Sequence, residues 1–481
     1  MLASLPDGTL MNRAAAGLAS VCAGLLDHVY GARVVVLAGS GDNGGDALFA
    51  GALLAGRGAV VTAIAAATRV HAAGAAALRC AGGTVLPAPD PGGLDAAVLD
   101  RADLIIDGLL GIGGRGGLRE PAATLAARTE RARADGAIVV AVDLPSGVDA
   151  DTGEVAGAAI RADVTVTMGT WKPGLLIDPG ASHAGVAELI DIGLTDLAAP
   201  AVSALQSADV AALLPRPSAE SDKYRRGVLG LLAGSQRYTG AAMLATGSAI
   251  HGGAGMVRLM SAQPALTAAL GRWPEAVTAV ADPDAPAQSV EAAGRVQAWA
   301  AGPGMGTDDG AAGLLRAVLA SNLPALVDAD GITLLARHRE LLKRSAPTLI
   351  TPHAGELARL TGADRGSIEA RRLEHARAAA ADLGVTVLLK GSTTVIAEPD
   401  GTVLVNSTGS SWLATAGSGD VLSGLAGALL AQGLPPLQAA AVAAYLHGLA
   451  GRLASREAPI GAGDLIPALA AAVRVVTRPA S

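Results

Sequence analysis

Apolar residues gather along this chain in short unbroken runs, separated by longer Ala-rich stretches. The first runs are ARVVVLAGS (32–40), AVVTAIAAA (59–67), GGTVLPA (82–88), ADLIIDGLL (102–110), GAIVVAVDLP (136–145) and ADVTVTMG (162–169). Each is rich in Val, Ile or Leu and bounded by turn formers, which predicts a strand. The runs do not alternate with polar residues, so both faces of each strand are covered, as in a parallel sheet with helices on either side. Helices are expected in the gaps, for example over 45–56 and 120–134. From 195 to 226 the pattern breaks, and Pro, Ser and charge concentrate as in a connection between domains. A second series follows: GVLGLLAGS (227–235), VQAWAAGPG (296–304), ALVDAD (325–330), APTLITPH (346–353) and VTVLLKGST (385–393), with a hairpin over 393–407 turning at Asp-Gly. The reading is two α/β domains, 1–200 and 201–481, the first a Rossmann-like doubly wound parallel sheet.

Composition sharpens this. A length of 481 residues is too great for one ordinary core. With aromatics at 2%, the cores must be built from Ala, Val, Leu and Ile, whose small side chains allow close helix–sheet packing. A net charge of −7 leaves no basic footprint for nucleic acid. Two cysteines, Cys22 and Cys80, make neither a disulfide framework nor a zinc pattern and read as small hydrophobes. The N-terminus lacks the charged and apolar regions of a signal peptide. No apolar stretch approaches the ~20 residues of a membrane span. A cytoplasmic protein without nucleic-acid or membrane partners is expected.

The string GSGD occurs twice, at 39–42 and 417–420. The first copy, in GSGDNGGDAL, matches G-x-G-x-x-G between a strand and a helix, a dinucleotide fingerprint. That fingerprint also wants an acidic residue after the second strand, and none occurs from Ala47 to Pro89. The loop carries Asp42 and Asp46, which suits hydroxyls, amides or a cation better than bare phosphate. A plain turn with a helix cap is the alternative. Two more loops should reach the same sheet edge. DGLLGIGGRGGLRE (107–120) offers backbone N–H groups and Arg115, and VDLPSGVDADTG (142–153) offers Asp143. Ligands bind beyond the carboxyl ends of such strands. Asp46, Asp107 and Asp143 converging there need a cation or a proton among them.

These residues, with TWKPGLLIDPG (170–180), resemble the epimerase domain of the bifunctional NAD(P)H-hydrate repair enzymes over about residues 5–200. The resemblance implies that the hydrated nucleotide is held by Asp42, Asn43, Gly44, Gly45 and Asp46 and by Gly111, Ile112, Gly113, Gly114, Arg115, Gly116 and Gly117. It implies a potassium ion on Asn43, Asp107 and Ser146, with Asp143 on the substrate. Oxygen ligands suit such a hard cation. Position 42 is Asp where the family usually has Asn, and the chain starts abruptly, without a leading helix common in the family.

The second copy, in NSTGSSWLATAGSGDVLSGLAGALLAQG (406–433), leads into a helix expected to start near Gly419. The amides of a helix start form an anion hole. Asp420 there is either a plain cap or a base poised for phosphoryl transfer to a hydroxyl, and the Gly- and Thr-rich surroundings favour the base. LLKGSTT (388–394) places Lys390 and hydroxyls at a strand end, fit for nucleotide phosphates or merely the start of the hairpin. TPHAGELARL (351–360) puts His353 and Glu356 where a strand meets a helix, and GPGMG (302–306) is a further Gly-rich turn. No P-loop motif is present.

In this order the motifs resemble the ribokinase-like fold, and within it the ADP/ATP-dependent NAD(P)H-hydrate dehydratases, over about residues 205–478. The resemblance implies substrate contacts from Ala241, Gly304, His353 and Asp420. It places the adenine nucleotide on Lys390, Gly391, Ser392, Thr393, Thr394 and Gly419. The family's usual GTGD is GSGD here. ADP as phosphoryl donor, Mg2+ beside it and a homo-oligomer are expected. The implied reaction pair is epimerisation of the R and S hydrates, with Asp143 as its proton carrier, and ADP-dependent dehydration of the S hydrate with Asp420 as base. The rival is a ribokinase-like kinase for a small alcohol such as hydroxymethylpyrimidine, fused to a non-catalytic binding module.

Overall fold

The computed structural model of the chain describes residue 6 and residues 8–87, 96–195, 199–220 and 222–478. Two compact units are present, Met1–Ala199 and Pro200–Ser481.

The first unit holds β1 (Arg33–Ala38), β2 (Val60–Ala65), β3 (Thr84–Leu86), β4 (Leu104–Gly108), β5 (Ile138–Val142), β6 (Val164–Met168) and β7 (Val186–Ile190). They form one sheet in the order β3-β2-β1-β4-β5-β6-β7, every pair parallel. Side chains alternate across a strand, and here both sets are apolar. Val34, Val36 and Ala38 join one core with Leu104, Ile106, Val140 and Val142. Val35 and Leu37 join another with Ile105, Val139 and Ala141. That double coverage is why the strands read as unbroken apolar runs.

The strand order reverses between β1 and β4, where Leu37 pairs with Asp107 and Ala38 with Gly108. The two strand ends therefore open one crevice. Gly39 is needed there, because a Cβ on it would lie 1.9 Å from the Leu109 carbonyl. The helix Asp42–Ala55 starts directly afterwards. Contrary to the expectation of an abrupt start without a leading helix, a helix over Thr9–Leu25 precedes β1, burying Ala14, Leu18 and Cys22 in the first of these cores. Its Ala-rich sequence lacked the strand–turn punctuation that marks the other elements. The run over 82–88 gives a strand only at Thr84–Leu86, and Ala88 lies outside the described residues.

In the second unit, β8 (Ser203–Ala204), β9 (Val228–Leu232), β10 (Met256–Ser261), β11 (Val277–Val280), β12 (Ala298–Ala301), β13 (Ala325–Val327), β14 (Thr348–Ile350), β15 (Thr386–Leu389), β16 (Thr394–Ala397) and β17 (Val403–Asn406) form one sheet. Its order is β11-β10-β9-β12-β13-β14-β15-β16-β17-β8. The pairs from β11 to β15 are parallel, and the expected hairpin supplies antiparallel β16 and β17. The stretch 195–226, read as a connection, contributes β8 and the helix Ser207–Leu213. β10 was not expected, because Arg258 interrupts its apolar run; the guanidinium donates to the Ala293 carbonyl at 2.9 Å. β11 and β7 were missed because they lie at sheet edges and are largely exposed.

The largest side chain buried below 2% exposure is Trp299 on β12, whose ring lies where a Cβ on Gly230 of β9 would sit, 2.5 Å away. Trp299→Ala is expected to lower stability by about 3–5 kcal/mol through loss of burial and a residual cavity. Urea unfolding followed by circular dichroism checks this, and an unchanged midpoint for the second unit would refute it.

Candidate functional sites

In the first unit the residues Asp42 to Asp46 form the opening turn of a helix rather than a loop. Gly41 is extended and Asp42 is the acidic residue of that turn, where negative charge is favoured by the helix dipole. The Asn43 amide donates to the Val142 carbonyl at 2.6 Å and to the Leu110 carbonyl at 3.3 Å, tying the helix start to the ends of β4 and β5. Asp107 is fully buried. It accepts from Ser146 Oγ at 2.6 Å, Ser146 N at 2.8 Å and Leu109 N at 3.2 Å. Burial pushes its carboxyl up to about 6, against the pull of these donors. Asn43, Asp107 and Ser146 thus meet through the Leu110 segment, whose N–H donates to Ser146 Oγ at 2.9 Å.

Asp143 follows β5 with φ at +67°, in the left-handed region. Its Oδ1 accepts from Met168 N at 2.9 Å, from Thr167 Oγ1 at 3.1 Å and from Lys172 Nζ. Lys172 also donates to Thr167 Oγ1 and to the Met168 carbonyl, each at 2.9 Å. A cavity of about 890 Å³ is lined by Asp42, Asn43, Asp46, Asp143, His71 and Phe49, and by Thr9–Asn12 of the first helix. Asp46 is buried, and its carboxyl is pushed up to about 7 by burial first, then by Asp42 and Asp143. None of the loop Gly111–Gly117 lines this cavity. Ile112 is exposed, and Arg115 stands in solvent 3.7 Å from Asp151.

In the second unit Asp420 lies in the first turn of the helix Ser418–Ala431, after a left-handed Gly417. His353 caps the helix Ala354–Thr361. Its Nδ1 accepts from Gly355 N at 2.9 Å and Glu356 N at 3.2 Å, while Glu356 Oε2 accepts from His353 N at 2.9 Å. Burial lowers the imidazole below its ordinary range. Lys390 donates to Asp328 Oδ1 at 2.6 Å and lies 3.8 Å from Glu356 Oε2. Burial works against its charge, but the two carboxylates outweigh burial and hold its proton more tightly than usual. Asp328, 1% exposed, accepts from Ser423 Oγ at 2.6 Å through its other oxygen. Asp420 is pushed up to about 6, by burial first and then by Asp328, with Lys390 opposing.

A cavity of about 760 Å³ collects His353, Lys390, Gly391, Ser392, Thr394, Gly419 and Asp420. Thr393 is buried and lies outside its lining. Ala241 and Gly304 lie against each other and line no part of it. His447 does line it. Burial lowers its imidazole to about 4, so the neutral ring donates from Nε2 to the Ser418 carbonyl at 3.0 Å and steadies the helix start.

Four residues of these sites had escaped sequence reasoning. Lys172 stood in TWKPG and Asp328 at the end of the strand run ALVDAD, which are the available signals; Ser423 and His447 carry none. Among the described residues, no three His, Cys, Asp or Glu side chains group as a metal site, and no helix is long and apolar enough to cross a membrane.

Residues 229–472 match the family model described as NAD(P)H-hydrate dehydratase, and residues 7–174 match that described as YjeF-related protein N-terminus. The chain is 48% identical over 471 residues to the bifunctional NAD(P)H-hydrate repair enzyme Nnr of Mycobacterium leprae, covering 97% of this chain and 93% of that one. Among solved structures, the second unit resembles the ADP/ATP-dependent NAD(P)H-hydrate dehydratase of Bacillus subtilis co-crystallized with ATP/Mg2+. The TM-score is 0.53 at 31% identity, covering 57% of this chain and 99% of that one. A ribokinase-like superfamily protein of Enterococcus faecalis matches with TM-score 0.53 at 26% identity, covering 60% of this chain and all of that one.

The carboxyl of Asp420 is expected to titrate near 6. Asp328→Asn removes the neighbouring negative charge and releases Lys390 toward it, so the midpoint should fall toward the ordinary aspartate value. Carboxyl-detected NMR of 13C-labelled aspartate reads this directly, and an unmoved midpoint would contradict the coupling.

Proposed function

This chain belongs to the family of bifunctional NAD(P)H-hydrate repair enzymes, and on that premise we propose the following division of labour. The first unit interconverts the R and S hydrates of NADH and NADPH. The second restores the S hydrate to the reduced cofactor with ADP, releasing AMP and phosphate. The observation that carries this reading is the meeting of Asp420, Lys390 and a helix start in one cavity with the hydroxyl-bearing strand end Ser392–Thr394.

A hydroxyl is a poor leaving group, and phosphorylation makes it a good one. Asp420 accepts the proton of the C6 hydroxyl as that oxygen takes the β-phosphoryl group of ADP, breaking its bond to the α-phosphate oxygen. Phosphate then departs from C6, and loss of the C5 proton restores the double bond. The amides at the Ser418–Asp420 helix start stabilise the charge on the transferring group. Mg2+ bound with the nucleotide would shield the charge of its phosphates. His353 and Gly304 with Ala241 hold the hydrate, while Lys390 to Thr394 and Gly419 hold the adenine nucleotide.

In the first unit Asp42–Asp46 hold the hydrate within the cavity, with Asp143 on the substrate, and the loop Gly111–Gly117, whose Gly111 packs against the Asn43 side chain, takes the part of the nucleotide outside it. A potassium ion fits Asn43, Asp107 and Ser146, because every donor there is an oxygen and Asp107 is a buried carboxylate whose charge the ion would balance. When bound, the ion would hold the segments that follow β4 and β5 together and offer positive charge to the nucleotide. Self-association and a cytoplasmic location belong to the same proposal.

An absorbance assay of NADH recovery from mixed hydrate epimers, run with ADP and with ATP, tests the reading. Asp420→Ala should slow recovery by about 10²–10⁴-fold. An active Asp420→Ala enzyme, or a stable phosphorylated product in place of NADH, would sink the dehydratase mechanism in favour of a small-alcohol kinase. For the first unit, R and S hydrates should equilibrate faster with potassium than with tetramethylammonium, and Asn43→Ala should abolish the difference. Equal rates in both salts would remove the potassium site.

A further inference from the structure

Two features of the first cavity are left over once binding roles have been given out. One is the asymmetry of Asp143. All three side-chain and backbone donors recorded on its carboxylate, Met168 N, Thr167 Oγ1 and Lys172 Nζ, fall on Oδ1. That leaves Oδ2 for the cavity that Asp143 lines. The other is Asp46. Its carboxyl lines the same cavity, is 8% exposed, and its Oδ1 has no hydrogen-bond partner among the described residues. Buried polar atoms are almost always paired, and an exception in a cavity points to a ligand or to catalysis.

We propose that Asp46 and Asp143 are the proton-transfer pair of the first site, Asp46 giving a proton and Asp143 taking one, with Lys172 as the residue that positions Asp143. This rests on the reading of the first unit as an epimerase. The two carboxyls come from different elements, Asp46 from the helix after β1 and Asp143 from the end of β5, and both line the one cavity. Inversion at C6 needs two proton movements. Asp46 protonates the C6 hydroxyl and the C6–O bond breaks, while the N1 lone pair forms the C6–N1 double bond and water leaves. A second water then adds to C6 from the other face, its electrons displacing the double bond back onto N1 and its proton passing to Asp143 Oδ2. Solvent protons reset the pair. No oxidant, reductant or other reactant is required.

The two neighbouring carboxyls differ in their surroundings. Asp143 has an ammonium and two further donors on one oxygen, which fixes its orientation and leaves the other oxygen to receive a proton. Among the described residues Asp46 has no ion pair; it is buried and faces Asp42 and Asp143, which favours the acid. Lys172 is itself fixed by Thr167 Oγ1 and the Met168 carbonyl, with its side chain 13% exposed, so it is a rigid clamp and not a mobile surface charge. His71, the other titratable group of the cavity, has Nδ1 committed to Gly74 N at 3.1 Å.

The full chain assayed without adenine nucleotide, with potassium present, reports only the first unit, as the rate at which separated R hydrate becomes the R/S mixture by chromatography. Asp46→Asn keeps the shape and polarity of the side chain but has no acidic proton. It should lower kcat by about 10²–10⁴-fold with KM within about threefold. Lys172→Met should lower kcat about 10²-fold by letting Asp143 drift, and Lys172→Arg should recover most of that loss. A retained KM also certifies that the variants are folded. An Asp46→Asn enzyme as fast as the parent, or one changed only in KM, overturns the acid role. An Arg variant as slow as the Met variant overturns the positioning role. If the parent itself does not interconvert the hydrates, the epimerase reading fails, and that outcome is distinct because no variant is needed to see it.

Discussion

Carboxylates withdrawn from water at the carboxyl ends of parallel strands are the constraint on which both halves of this chain turn. A parallel sheet covered on both faces leaves only its ends open to ligands, and there Asp107, Asp143 and Asp328 lie within the protein surface. An isolated buried charge is prohibitive, so each must be met by donors, by a cation or by a proton. The chain uses all three answers. Asp107 takes the donors of Ser146 and Leu109, Asp143 takes Lys172, and Asp328 takes Lys390 and Ser423. Among the described residues Asp46 and Asp420 lack such donors, and both are pushed toward neutrality, as burial also pushes Asp107 in spite of its donors. Asp46 and Asp420 are therefore the acids offered for proton chemistry, Asp143 turns its second oxygen to the same end while Lys172 holds the first, and Asp107 and Asp328 hold the surroundings in place.

The two GSGD strings show how one local sequence serves different ends. Each opens a helix after a strand or loop, and each uses Gly where the backbone must approach closely or turn left-handed. In the first, Asp42 is exposed, while Asn43 and Asp46 do the reaching inward. In the second, Asp420 itself faces the cavity beside Lys390 and Asp328. The difference lies in what the neighbouring strands deliver. β5 and β6 bring Asp143 and Lys172 to the first helix start, and β13 and β15 bring Asp328 and Lys390 to the second.

Much of this was legible in the sequence where the signal is local. Unbroken apolar runs marked eleven strands because their side chains on both faces are largely covered, and the reversal of strand order explains why GSGDNGGD and the segments around Asp107 and Ser146 meet. Strands β7, β10 and β11 were lost because an edge position or one arginine removes the apolar signature without removing the hydrogen bonds. The loop Gly111–Gly117 looked like an anion cradle, but glycine content says where a backbone can bend and not which way it faces. Lys172 and Asp328 were harder still. Their importance comes from partners 29 and 62 residues away, a pairing that only the register of the sheet creates.

Backbone strain points to the same two places. Among the described residues only four without a glycine's freedom have positive φ, and two of them lie just past strand ends, Asp143 at +67° directly after β5 and Ala329 at +49° one residue further on, after β13 and Asp328. The other two, Arg456 and Glu457, lie together after a helix end, where left-handed residues are commonplace. A side chain in that region costs on the order of 1–3 kcal/mol, and it persists only where its surroundings hold it. At Asp143 glycine would relieve the strain but forfeit the carboxylate, so the strain and the charge are kept together by Lys172, Thr167 and Met168 N. At Ala329 the turn is set between two engaged acids. Asp328 faces Lys390, while Asp330 accepts from Gly306 N at 3.0 Å and so fixes the GPGMG turn. A relaxed residue 329 would rotate one acid away from its partner. In both units the unusual backbone is thus the cost of aiming a carboxylate, and it falls at the sheet ends to which the proposed chemistry is assigned.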